Sequence, residues 1–189
     1  MIFPFKLTSI LGLVNENTNR GKMIRFLVFV FLYYICRNLL MFFETTSIGW
    51  SILGPLHGIL SSFITHSCCL LLSPFYPDIH TSANFTIFID GNAYLYMAPG
   101  CSGLVPMISL TVALLFYPLP LRKKAILWPV SLFILLLASI LHFLLLIPVI
   151  YQYPEWFALF HKWLTRIFFY GFYFLCWVLW ERVKWRCLK

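Results

Sequence analysis

Long apolar runs separated by short polar stretches dominate this chain. Residues 23–43, 101–117, 125–150 and 162–180 are such runs, each near the length a helix needs to cross the roughly 30 Å of a bilayer core. A backbone in lipid must satisfy its hydrogen bonds locally, which leaves helices or a closed barrel, and runs this long and continuous predict helices. A fifth stretch, 50–72, is patterned differently: Gly54, His57, Gly58, Ser61, Ser62 and Thr65 recur at helical spacing and give it one small or polar face. That predicts a helix lying in the interface or re-entering the membrane, with a full crossing as the alternative. Further on, two β-rich runs, 85–89 and 93–97, flank Asp90-Gly91-Asn92, a hairpin signal that leads almost directly into Cys101. The predicted fold is an all-α membrane protein. It has about four transmembrane helices, an outer interfacial or re-entrant helix and a small extracytoplasmic β-hairpin, all in a single transmembrane domain over 1–189. Residues 1–22 read as a cytoplasmic tail with a short membrane-surface segment, 44–100 as an outer segment and 101–182 as the helices that carry the chemistry.

Composition sharpens this picture. Of the 189 residues 61% are hydrophobic and 11% charged, too few polar side chains to coat a soluble domain of this length. The net charge of +8 would suggest acidic partners in a soluble protein, but here the basic residues stand at the ends of the runs, where they set topology, and no basic platform for nucleic acid is visible. They also arbitrate the path of 50–72. If it does not cross, there are four spans, both termini share the cytoplasmic side, and eleven of the fourteen basic residues lie there. If it crosses, Lys6, Arg20, Lys22 and Arg25 fall outside. The N-terminus lacks the order of a cleaved signal peptide, so the first span is expected to serve as the insertion signal. Seven tryptophans, from Trp50 to Trp185, cluster near span ends and read as an interfacial belt.

The six cysteines show no CxxC pair and no metal-ligand spacing, so neither metal nor cofactor is expected. Cys101 differs from the rest. In Pro99-Gly100-Cys101-Ser102-Gly103-Leu104 a hairpin ends and an apolar helix begins, placing Cys101 near a helix N-terminus at the outer membrane edge. Free N–H groups and the helix dipole there favour a thiolate, and the same donors can hold an oxyanion, with Ser102 and Gly103 as neighbours small enough to admit a substrate backbone. The bland alternative is a buried cysteine at a span boundary. His161, at the start of the last span and at similar depth, is a candidate general base or acid, or an interfacial side chain. His142 lies inside the span 125–150, where a titratable group is costly and by default a functional candidate, although a neutral imidazole bridging helices is as good a reading. Ser139 shares its face. Arg37 and Arg166 sit in the outer halves of their spans and either snorkel or bind a carboxylate or oxyanion. His57 and His66 are spaced too poorly for joint metal binding and read as interfacial residues.

These residues resemble the exosortase/archaeosortase family, especially its compact Bacteroidetes-type members. The likeness covers about 84–182: the Asp90-Gly91-Asn92 hairpin, Pro99-Gly100-Cys101-Ser102-Gly103-Leu104, a span and basic loop, a span with a polar pair, and Tyr153-Pro154-Glu155 followed by His161. The first 80 residues match only in layout. The resemblance implies a cysteine transpeptidase or protease in the bacterial cytoplasmic (inner) membrane, multi-pass, with an extracytoplasmic active site. Its partners would be the lipid bilayer and exported proteins whose C-terminus carries a short motif, a transmembrane helix and a basic tail. Cys101 would attack a peptide bond beside that motif and form a thioester, with His161 as the family histidine. One position departs from the family pattern. Where the family has Asn-x-x-Arg, this chain reads Ser139-Ile140-Leu141-His142. Either His142 replaces the arginine while protonated, or Arg166 or Arg37 takes over, or the copy is altered. The competing reading is a non-catalytic membrane scaffold or assembly factor of the same descent. A transferase acting on lipid-linked glycans is a third; it would want paired carboxylates or a metal site.

Overall fold

The computed structural model describes residues 19–82, 85–98 and 101–187. Residues 1–18, most of the expected cytoplasmic tail, lie outside that range, as do Pro99 and Gly100. Helix α1 (Asn19–Glu44) ends at a tight corner. There Thr46, in extended backbone, accepts from Gly49 N at 3.0 Å through its hydroxyl and starts α2 (Ser47–Leu72). A small antiparallel sheet follows, β1 (His80–Thr81), β2 (Thr86–Ile89) and β3 (Asn92–Tyr96), in that spatial order. Next come α3 (Leu104–Phe116), α4 (Leu121–Gln152), a single 3-10 turn at Pro154–Trp156, and α5 (Phe157–Cys187).

Four helical segments are long and apolar enough to cross a membrane: Arg20–Glu44, Ser47–Leu72, Leu121–Gln152 and Pro154–Val183. Their outward faces carry large apolar side chains, such as Phe31, Ile59, Leu70, Phe133 and Ile167, all exposed, as suits contact with a lipid bilayer. The fold is that of an all-α membrane protein with a minor sheet. Its membership differs from the sequence expectation in two ways. The run 101–117 contains only 13 helical residues, about 20 Å against the roughly 30 Å of a bilayer core, because its first three residues form the turn that carries Cys101. Conversely, 50–72 belongs to a 26-residue helix of full spanning length. Its polar stripe faces the protein, not water: His57, Ser61 and Thr65 are buried together with Leu53, Ile64 and Cys68, while Ile52, Leu56, Ile59 and Phe63 are exposed. The stripe of small and polar residues is thus used in packing, while the outer face of α2 is mainly apolar and also carries the exposed Ser51 and His66.

The hairpin is present, with Ile89 paired to Asn92 across a two-residue turn. Asp90 (φ 52°) and Gly91 (φ 74°) both have positive φ, the combination a type I′ turn requires and that Asp-Gly supplies with little strain. The third strand, β1, adds to the far edge of β2.

Two cores hold the helices. One joins α1, α3, α4 and α5 through Phe29, Leu110, Leu114, Leu135, Tyr173 and Trp180. The other packs α2 and the sheet against the last turns of α4 through Ile64, Cys68, Ile87, Ile89, Leu146 and Ile147. Trp180 is fully buried and donates Nε1–H to Ser131 Oγ at 3.0 Å, so it is a core residue rather than part of a belt. Beside it a buried clamp ties α1 to α5. Arg25 donates to the Glu181 carboxylate from Nε at 2.6 Å and from Nη2 at 3.0 Å, and Tyr117, just past α3, donates its hydroxyl to the same group.

Helix α2 packs on the same end of α4 as the sheet. Cys68 donates to the Ile140 carbonyl at 3.8 Å, and Ile64, Cys68 and Leu72 share a core with Leu146, Ile147 and Ile150. Nearer the start of α2, His57 reaches Ser102, whose neighbour Gly103 abuts Ser139. These contacts lie at the Glu44 end of the bundle, away from the clamp.

Candidate active site

The connection from β3 into α3 is irregular and tightly held. Met97 N donates to Phe85 O at 3.1 Å, and Cys101 N to Ala98 O at 2.8 Å. Gly103, the N-cap of α3, has φ +79°, and a Cβ built on it would stand 2.7 Å from Ser139 Oγ. Both the left-handed backbone and the close approach of α4 demand glycine there. Cys101 is half-buried. The first helical residue is Leu104, three positions on, and among the described residues no cation bonds to the sulfur.

Cys101 opens onto a cavity of about 500 Å³ whose wall includes Gly103, His142, His161, Arg37 and Arg166. Four segments distant in sequence supply these groups: α1, the Cys101–Gly103 turn, α4 and α5. The two imidazoles face each other with ring centroids 5.6 Å apart, and His161 stacks on Phe157 at 5.4 Å. Thr165 donates its hydroxyl to the His161 carbonyl, so its oxygen accepts from His142 Nε2–H at 3.3 Å. The Nδ1 atoms of both histidines are buried without a hydrogen-bond partner among the described residues. A buried imidazole nitrogen left unpaired costs stability, and such sites often await a substrate group. Among the described residues neither Arg37 nor Arg166 forms an ion pair. No hydrogen bond among them joins the Cys101 thiol to either histidine; the three share a cavity, and catalytic contacts commonly tighten only when substrate binds.

The other two sequence candidates lie behind the wall. Ser139 is fully buried and donates back to the Leu135 carbonyl at 3.0 Å, serving as the surface against which Gly103 packs. Ser102 is also fully buried, its hydroxyl 2.6 Å from His57 Nδ1. His57 Nε2 in turn stands 2.8 Å from Glu44 Oε1, and Glu44 lines the cavity. Sequence reasoning missed this chain because its members come from α1, α2 and the Cys101 turn. The available signal was a histidine on the inward stripe of an otherwise apolar helix.

Chemically, the cavity offers a thiol, two imidazoles and two guanidinium groups to one ligand. Among the described residues no three His, Cys, Asp or Glu side chains are grouped so as to hold a metal ion. No protein-family profile, curated protein or solved structure matches the chain.

Proposed function

We propose that this chain is a membrane-embedded cysteine transpeptidase or protease of the exosortase kind, which cleaves C-terminal sorting signals of exported proteins at the outer face of the cytoplasmic membrane. One observation carries the reading: Cys101, His142 and His161 line one cavity together with Arg37 and Arg166, although they lie up to 129 positions apart in the sequence. His161 takes the Cys101 proton as the sulfur attacks the scissile carbonyl carbon. A guanidinium supports the oxyanion; Arg166, on the same helix as His161, and Arg37 both share the cavity wall with the two histidines and are the candidates for the missing family arginine. Collapse of the tetrahedral species breaks the C–N bond, the leaving amine collects the proton from His161, and a thioester remains on Cys101. Water or an amine then resolves it.

In this reading α1, α3 with its flanking turns, α4 and α5 traverse the bilayer, and α2, one continuous helix, stays on the outer side against the end of α4. The core that α2 shares with the sheet and the last turns of α4 supports that placement. Both termini then lie on the cytoplasmic side, with the clamp.

The test is C-terminal proteomics of host membranes carrying either the wild-type protein or Cys101→Ala. Tail-bearing membrane proteins should keep their C-terminal helix only with the variant. Identical termini in the two strains would remove the enzyme reading and leave a non-catalytic scaffold.

A further inference from the structure

The chain Glu44–His57–Ser102 runs from the cavity wall, through the buried interior, to the residue beside Cys101. Its direction can be assigned from donor and acceptor chemistry. The Glu44 carboxylate accepts only, so His57 Nε2 carries the proton across the 2.8 Å contact. In the neutral imidazole Nδ1 is then an acceptor, and Ser102 donates its hydroxyl to it at 2.6 Å. The Ser102 oxygen meanwhile accepts from Leu104 N at 3.3 Å, the first amide of α3. His57 is held flat against Trp50, with ring centroids 6.2 Å apart and 19° between planes. Serine, imidazole and carboxylate in this order are the groups of a hydrolytic triad, but Ser102 is 0% exposed and does not line the cavity, so it presents no nucleophile to a substrate.

We propose that Glu44 and His57 are positioning residues for Cys101, acting through Ser102 to lock the Cys101–Gly103 turn and with it the place of the sulfur on the cavity wall. The turn lies between a sheet and a helix, with Cys101 N bonded back to the Ala98 carbonyl, and this chain pins its middle residue to α1 and α2 at once. The catalytic consequence rests on the reading of Cys101 as the nucleophile; the positioning itself does not.

The experiment uses the full chain in its native membrane, pulsed with iodoacetamide at fixed pH, with alkylation of each cysteine read by peptide mass spectrometry. His57→Phe keeps a ring and removes both bonds, Ser102→Ala removes the last link, and Glu44→Gln keeps an acceptor for Nε2–H. Cys101 should react about fivefold faster in His57→Phe and Ser102→Ala and within about twofold of wild type in Glu44→Gln. Cys176, fully buried in α5, should stay unreactive in all three. An unchanged Cys101 rate in both disrupting variants overturns the proposal, as does acceleration shared by Cys176, which would mean general loosening. Alkylation needs no substrate, so failure here is distinct from failure of the processing experiment.

Discussion

The two ends of the helix bundle treat charge in opposite ways. At the clamp end, Arg25 and Glu181 are buried and meet in a two-point contact, and Tyr117 fills a further acceptor site on the carboxylate. At the cavity end Glu44 is met by His57, but among the described residues two guanidinium groups lack ion-pair partners and two buried imidazole nitrogens lack hydrogen-bond partners. Charges committed to one another at one end, and cationic groups left open at a cavity at the other, separate holding the fold from meeting a ligand. Stability should therefore be concentrated at the clamp and activity at the cavity.

The sharpest way to break that division is Glu181→Ala, which removes the carboxylate that meets the buried Arg25 at two points and should cost about 3–5 kcal/mol, read as a loss of thermal stability in detergent. The double replacement Arg25→Met with Glu181→Leu should recover most of it, since a packed apolar pair avoids desolvation. At the other end, His161→Gln should lower processing by about 10²–10⁴-fold while the unfolding temperature holds. A matching fall in stability would blur the two regions into one. Arg166→Gln should cut processing by about 10²-fold, as loss of an oxyanion donor does, again without a stability change. Gly103→Ala should affect both, at about 1–3 kcal/mol, because it forces an L-residue to φ +79° and its methyl group into Ser139 Oγ.

Much of the fold was legible because lipid-facing helices advertise themselves by length and continuity, as the runs within α1, α4 and α5 do, and because Asp90-Gly91 has few uses besides a type I′ turn. What the sequence hid depended on contacts between distant positions. The clamp joins residues 156 apart, and Arg25 read only as a topology signal. The direction of the polar stripe on α2 was ambiguous because hydropathy does not say whether such a stripe meets water or protein. The helical limit of α3 was lost because the Cys101 turn is as apolar as a helix. At the site, Cys101, His142, His161, Arg37, Arg166 and Gly103 were identifiable one by one as costly or unusual residues near the membrane edge, and they share one cavity. Glu44 and His57 were not, since each has an ordinary explanation until the other is placed 2.8 Å away.

The central claim is that Cys101 carries a peptide thioester, and hydroxylamine capture tests it most directly. Membranes with the wild-type protein should release peptidyl hydroxamates that end at the processing sites of tail-bearing proteins, and membranes with Cys101→Ala should release none of them. Processing that continues with no Cys101-dependent hydroxamate, or equal yields from the two, would contradict the account.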